Sequence, residues 1–82
     1  MASSYAIRAM LHQRTGDAVK GLTDADRAIA LDPRSAMALY IRAKIYEALG
    51  RSEEAAAGLR AALAIDPRIK KQMEAMEQVG KQ

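Results

Sequence analysis

Apolar residues recur along the chain at helical spacing in five stretches, separated by short segments that contain Gly, Pro or Asp. In the third stretch, for example, Leu39, Tyr46 and Leu49 recur on one side before Gly50. The intervening turns have only two to four residues, which forces consecutive helices to lie antiparallel. The pattern therefore predicts five helices: from about Ser4 to Arg14, from Asp17 to Leu31, from Ser35 to Gly50, from Ser52 to Asp66, and over Arg68–Gln82.

Residues at the ends of these stretches are typical of helix boundaries. Gly16 and Gly50 are expected to end helices in the left-handed conformation that glycine adopts without strain. Asp17, Ser35 and Ser52 are predicted N-caps, because their side-chain oxygens can accept bonds from free backbone N–H groups.

The chain contains an internal repeat of 34 residues. Shifting the sequence by this length aligns Ala2–Arg34 with Ala36–Arg68 without a gap, and ten of the 33 aligned positions are identical. Each unit carries two predicted helices. The sequence thus predicts two helical hairpins followed by a fifth helix, whose stripe of Ile69, Met73 and Met76 covers the last apolar face.

The amino-acid composition excludes several folds and several kinds of functional site. Half of the 82 residues are apolar, but aromatic residues make up only 4% and there is no Cys. This composition argues against a β-sandwich or barrel, and it excludes disulfides, thiolate zinc sites and a cysteine nucleophile. The single His and the widely separated glycines indicate no metal site and no phosphate-binding loop. We expect no catalytic residues, no cofactor and no enzymatic activity.

Charge and hydropathy give no indication of a membrane-spanning segment. The net charge is +3, with both signs interspersed. No apolar run approaches the roughly 20 residues of a membrane span, and the N-terminus lacks the features of a signal peptide. A cytoplasmic protein is expected.

The repeat resembles the tetratricopeptide repeat, a helix hairpin of the same length. In the second unit the residues that carry the resemblance are Leu39, Ala43, Tyr46, Gly50, Ala55, Leu59, Ala62 and Pro67. In the first unit they are Tyr5, Ala9, His12, Gly16, Gly21, Ala25, Ala28 and Pro33. The resemblance implies an all-α solenoid, a right-handed superhelical stack of two antiparallel hairpins and a capping helix. Repeat one would span residues 2–35, repeat two 36–69 and the capping helix 68–80.

The resemblance also implies a function: a protein–protein interaction module that binds a peptide or protein segment in a concave groove lined by each repeat's first helix. The corresponding residues here are Ser3, Ala6, Met10, Gln13, Met37, Tyr40, Lys44 and Glu47. We expect the Tyr40 ring to face this groove as an anchor, with Lys44 one turn further on, so that the groove suits a segment with acidic and apolar groups. Asn is absent from the chain, which disfavours the family's carboxylate-clamp subtype.

Five positions depart from the family pattern or invite a second interpretation. Gly21 and Ala25 are small where the family has larger residues, so the first hairpin is expected to be underfilled. Arg8 and Arg42 replace the usual Leu, as in a bacterial-looking subtype, and are predicted to lie along the hairpin and pair with a carboxylate such as Asp24. His12 occupies the position of Tyr46, which favours a packing role.

Two alternatives remain open at this point. The chain could associate as a homodimer, through the underfilled first hairpin or the Met-bearing tail, or serve as the docking arm of a larger protein. It could also bind nucleic acid or another anion weakly through basic residues, namely Arg34, Arg68, Lys70 and Lys71. The identity of the partner is not encoded in any motif.

Overall fold

The computed structural model describes residues 2–79, and the side chains of residues 5–75. Five α-helices and no strand occur in this range, which confirms the predicted all-α fold. The helices are α1 (Ala2–Arg14), α2 (Ala18–Leu31), α3 (Ala36–Ala48), α4 (Ser52–Ile65) and α5 (Ile69–Val79).

The predicted turn chemistry is present at four helix boundaries. Gly16 and Gly50 have φ angles of 86° and 81°, in the left-handed region where a side chain would be strained. Asp17 caps α2 by accepting a hydrogen bond from the Lys20 backbone N–H at 3.3 Å. Ser35 caps α3 in the same way, accepting from the Ala38 N–H at 3.2 Å.

The prediction that Ser52 caps the fourth helix is wrong. Ser52 is the first residue inside α4, and the N-cap is Arg51, whose side chain makes no capping hydrogen bond. Arg51 aligns with Asp17 under the 34-residue shift, so the second hairpin has lost the side-chain cap that the first retains. Glu53 and Glu54 in the first turn of α4 still place negative charge at the positive end of the helix.

Helix α3 is the centre of the molecule. It packs against its hairpin partner α4, against α2 and α1 of the first hairpin, and against α5. Residues are therefore buried all around it: Ala36, Ala38, Leu39, Tyr40, Ile41, Ala43 and Ile45.

The two hairpins meet through α2 and α3. Ile41 and Ile45 of α3 are 3% and 0% exposed. A Cβ atom at Gly21 of α2 would lie 3.1 Å from the Ile45 Cδ1 and 3.0 Å from the Ala9 carbonyl oxygen. Gly21 thus lets α2 approach α1 and α3 at once.

The expected underfilled first hairpin is not observed. Helices α1 and α2 pack against each other as extensively as α3 and α4 do, and Ala25 is fully buried. At Gly21 there is no room for a larger side chain, because a Cβ atom would lie 3.0 Å from the Ala9 carbonyl oxygen.

Helix α5 lies against α3 and α4, as a lid on the second hairpin. Ile69 and Met73 are buried there, which agrees with the predicted apolar stripe. The Met76 side chain, also placed in that stripe, lies outside the described residues.

Candidate functional site

The first helices of the two repeats lie side by side, and the predicted groove residues lie on this layer. Helix α1 packs against α3 and α3 against α5, whereas within residues 2–79 the second helices α2 and α4 do not touch. The groove residues differ widely in exposure: Ala6 and Tyr40 are buried, Met10, Gln13, Met37 and Lys44 are half-buried, and Glu47 is exposed. The Ser3 side chain lies outside the described residues.

The expectation that the Tyr40 ring faces an open groove is wrong. Tyr40 is only 3% exposed and belongs to the same buried cluster as Ile41 and Ile45. The reason is the central position of α3: helices lie on both sides of it within the layer, so a ring at this position is covered. Ala6 is likewise fully buried and offers no surface to a ligand.

Met10 and Met37 combine core packing with access to solvent. Both are half-buried and pack against the core cluster, from α1 and α3 respectively. Methionine side chains are flexible and polarizable, so they can adapt to different apolar partners at a surface. The two methionines thus give the first-helix layer partly exposed apolar side chains on α1 and on α3.

Lys44 and Glu47 form the polar end of this surface on α3. The Lys44 Nζ lies 3.8 Å from the Glu47 Oε1, with side chains 36% and 66% exposed. An ion pair this exposed contributes about 0–1 kcal/mol to stability. An incoming carboxylate could therefore displace Glu47 from Lys44 at small cost.

A polar cluster in the first hairpin joins Asp24, Arg8 and His12. Asp24 is only 3% exposed. Its Oδ2 lies 3.4 Å from both the Arg8 Nε and the His12 Nε2, yet it accepts no hydrogen bond of good geometry. The predicted Arg8–Asp24 pairing is confirmed, and His12 does more than pack, because it faces the same carboxylate.

The burial of Asp24 was not predicted from the sequence. The signal was present in the repeat alignment, because Asp24 stands where the second unit has Gly58, between Gly21 and Ala28 on the packed side of α2. The cluster borders a cavity of about 200 Å³ lined by Arg8, His12, Val19, Lys20, Thr23, Asp24 and Arg27.

The second hairpin has a cavity at the equivalent place with a different lining. It measures about 310 Å³ and is lined by Leu39, Arg42, Tyr46, Glu54, Ala57, Gly58 and Ala61. Here Arg42 pairs with Asp26 across the hairpin interface, at 3.1 Å between Nη1 and Oδ1. The Arg42 and Arg51 guanidinium groups lie 5.8 and 5.7 Å from the centre of the Tyr46 ring. The predicted carboxylate pairing of Arg42 is thus confirmed, with Asp26 as its partner.

The four basic residues of the anion-binding alternative are all exposed. Arg34 and Arg68 occupy equivalent turns after α2 and α4, and Lys70 and Lys71 follow in the first turn of α5. No aromatic ring from residues 5–75 stacks on any of them, which leaves electrostatics as the sole support for this alternative.

The described part of the chain has neither a candidate metal site nor a candidate membrane-spanning helix. It holds no group of three or more His, Cys, Asp or Glu that could bind a metal ion. None of its helices has the length and apolarity needed to cross a membrane.

Comparison with known proteins agrees with the repeat architecture. Residues 25–57 match the family model of the tetratricopeptide repeat, a segment that runs from the middle of α2 through α3 into α4. No curated protein matches the chain. Tetratricopeptide repeats are generally non-catalytic scaffolds for protein–protein interaction. The match at the junction of the two equivalent hairpins supports the assignment of this part of the chain to the tetratricopeptide repeat family.

Proposed function

We propose that the chain is a non-enzymatic interaction module that binds a peptide or protein segment along the first-helix layer. The surface consists of Met10 and Gln13 on α1 and of Met37, Lys44 and Glu47 on α3. The observation that carries the proposal is the half-exposure of Met10 and Met37 on neighbouring helices, together with a lysine of α3 in a weak ion pair.

The packing of the helices supports a concave surface here. Helix α1 contacts α3, whereas the described parts of α2 and α4 stay apart. This is the arrangement of a stack that curves toward its first helices. A segment lying along the inner side would contact α1 and α3 at the same time.

The chemistry of the surface favours a segment with apolar and acidic side chains. Apolar groups would pack on the two methionines, and a carboxylate would replace Glu47 as the partner of Lys44. The buried Tyr40 and Ala6 take no direct part, and they position α3 and α1 relative to each other.

Lys44→Glu tests this assignment, with Lys20→Glu as a matched control. Both lysines form an i,i+3 pair with a carboxylate, at 3.8 Å to Glu47 and 3.6 Å to Asp17, but Lys20 lies on α2 outside the first-helix layer. The wild-type chain is expected to select, from a library of random peptides, sequences that combine Asp or Glu with apolar residues. Lys44→Glu should lose these peptides and Lys20→Glu should retain them. Recovery of the same peptides by Lys44→Glu would contradict the assignment.

Self-association remains an alternative function, and it no longer rests on an underfilled first hairpin. Sedimentation at two concentrations tests it directly. A mass that stays at one chain would contradict a homodimer.

A further inference from the structure

The cavity of the first hairpin carries charged residues that the equivalent cavity of the second hairpin lacks. Under the 34-residue shift, Lys20, Thr23, Asp24 and Arg27 align with Glu54, Ala57, Gly58 and Ala61. The two linings share only the arginine at positions 8 and 42. Among residues 5–75, the first cavity therefore has three permanent cations and one carboxylate, whereas the second has one of each.

The carboxylate of the first cavity has an oxygen without a hydrogen-bond donor among residues 5–75. The Asp24 side chain is only 4% exposed. The Arg8 Nε and the His12 Nε2 both lie 3.4 Å from its Oδ2, which is longer than a typical N–H···O hydrogen bond of about 2.9 Å, and neither forms one. A buried acceptor of this kind is costly to leave unpaired. A ligand that donates a hydrogen bond to Oδ2 would remove that cost.

Arg27 and Lys20 place positive charge at the exposed rim of the same cavity. Arg27 makes no ion pair within residues 5–75, and its guanidinium, like that of Arg8, lies 5.8 Å from the centre of the Tyr5 ring. Lys20 pairs with Asp17 at 3.6 Å, with side chains 72% and 41% exposed. A pair this exposed is weak and exchanges partners at small cost. The rim therefore attracts an anion, although the cavity also holds a carboxylate.

We propose that this cavity binds hydrogen phosphate, an oxoanion that still carries one O–H group. Its charged oxygens accept hydrogen bonds from Arg8, Lys20 and Arg27, and its O–H donates to the Asp24 Oδ2. Sulfate has the same charge and shape but no O–H, so it would place a lone pair against the buried carboxylate. The cavity should therefore prefer hydrogen phosphate to sulfate. The residues of the proposed peptide surface do not line it, so the inference does not depend on that function.

The size and position of the cavity suit a small anion. Its volume of about 200 Å³ is several times the roughly 30 Å³ that a water molecule occupies in the liquid. It lies within one hairpin, between α1 and α2. In the second hairpin, α2 packs on α3, yet all residues lining the equivalent cavity come from α3 and α4. A neighbouring hairpin therefore leaves a cavity at this place accessible.

Titration of the chain with inorganic phosphate, followed by amide NMR shifts at constant ionic strength, tests the proposal. At about pH 8 a phosphate monoester is fully ionised, so methyl phosphate and sulfate both lack an O–H, whereas inorganic phosphate keeps one. Saturable shifts are expected at Lys20, Asp24 and Arg27. Sulfate and methyl phosphate should bind at least about tenfold more weakly. The amides of Gly58 and Ala61, in the second hairpin, serve as an internal control and should not shift.

Two substitutions separate the roles of charge and hydrogen bonding. Arg27→Ala should weaken phosphate binding about tenfold, whereas Arg60→Ala, which removes an exposed arginine of α4 outside the cavity, should leave it unchanged. Asp24→Asn should abolish the preference for phosphate over sulfate, because the amide can donate a hydrogen bond to either anion. If Asp24→Asn does not fold, the comparison of the three anions on the natural chain still decides.

The proposal is overturned by the absence of saturable shifts or by equal binding of sulfate. Equal binding of methyl phosphate would overturn the need for an O–H and identify any phosphoryl group as sufficient. Shifts centred on Arg34, Arg68, Lys70 and Lys71 would show only general attraction of anions to exposed bases, and would also contradict it. None of these outcomes bears on the selection of peptides through Lys44, so the two proposals fail separately.

Discussion

The two hairpins share their helix boundaries and ten of 33 aligned residues, yet they fill the space between their helices with different side chains. The first hairpin buries Asp24 and places His12 beside it. The second has Gly58 and Tyr46 at these positions. A smaller residue on the second helix is thus matched by a larger one on the first helix, and the backbones of the two helices approach to a similar extent in both hairpins.

The two repeats therefore place their helices alike, whereas the side chains that lie between the helices differ in charge and polarity. The cavity of the first hairpin is bordered by the buried carboxylate of Asp24, whereas the cavity of the second has Gly58 at that position and is bordered by the Tyr46 ring, with Arg42 and Glu54 as its charged residues. Position in the stack matters as much as sequence, because Ile7 and Ile41 are identical and only one is covered.

Leu11 and Ile45 occupy the same repeat position but differ in burial, and the greatest loss of stability is expected from substitution of Ile45. Ile45→Ala removes a fully buried side chain and should lower the free energy of unfolding by about 2–5 kcal/mol. Leu11→Ala removes a half-exposed side chain and should cost less than about 1 kcal/mol. Urea denaturation measures both. If Ile45→Ala does not fold, Ile45→Val should still cost about 0.5–1.5 kcal/mol. Equal losses of unfolding free energy at positions 11 and 45 would contradict the stacked arrangement, in which only position 45 is covered.

The two arginine pairs provide a second comparison. The Arg8–Asp24 pair involves a buried carboxylate, whereas Asp26, the partner of Arg42, is 53% exposed. Double-mutant cycles with alanine should give a coupling of about 1–2 kcal/mol for the first pair and about 0.5 kcal/mol for the second. Because Arg8 is itself largely exposed, solvent keeps the first value well below that of a fully buried pair. A larger coupling energy for Arg42–Asp26 would contradict the claim that burial of the carboxylate strengthens the Arg8–Asp24 pair.

Gly21 and Gly58 should respond oppositely to alanine. Alanine is favoured over glycine in a helix by about 1 kcal/mol. At Gly58 the new Cβ would lie 3.3 Å from the Ala43 Cβ, so Gly58→Ala should stabilise the chain by about 0.5 kcal/mol. At Gly21 the Cβ would lie 3.0 Å from a backbone oxygen, and Gly21→Ala should destabilise by about 1 kcal/mol. Thermal denaturation of both variants checks the signs, and stabilisation by Gly21→Ala would show that the first hairpin has spare room.

The smallest effects concern the helix caps. Ser35→Ala removes the hydrogen bond to the Ala38 N–H and should cost about 1 kcal/mol. Ser52→Ala makes the same chemical change inside the first turn of α4, where no capping bond exists, and should change stability by less than about 0.5 kcal/mol. Denaturation midpoints compare the two, and a similar loss at Ser52 would restore it as a cap.

Sequence periodicity predicted the helices, their order and the glycine turns because these depend on local interactions. The left-handed Gly16 and Gly50 and the capping Ser35 are set by residues within one turn of each other. The predicted N-cap of α4 was wrong by one residue, because the identity of a cap depends on where the helix begins. Arg51 is the N-cap, and its side chain makes no capping hydrogen bond.

The candidate surface was predicted less completely because exposure depends on neighbouring helices. Tyr40 follows the pattern of a groove residue, and it is buried because α1 and α5 flank α3. Asp24 is of a residue type that usually lies in solvent, and only its position on the packed side of α2 indicates that the approach of α1 covers it. Both outcomes are decided by contacts between segments far apart in the chain.

Thiol labelling of two single-cysteine variants tests the stacked-hairpin account most directly, because the natural sequence has no Cys to interfere. Leu11→Cys places a thiol on the exposed face of α1, and Ile45→Cys places one at the equivalent buried position of α3. The account predicts that a thiol reagent labels position 11 rapidly under native conditions, whereas position 45 reacts only as fast as the chain unfolds. Equal native-state rates at the two positions, in variants shown to be folded, would contradict it.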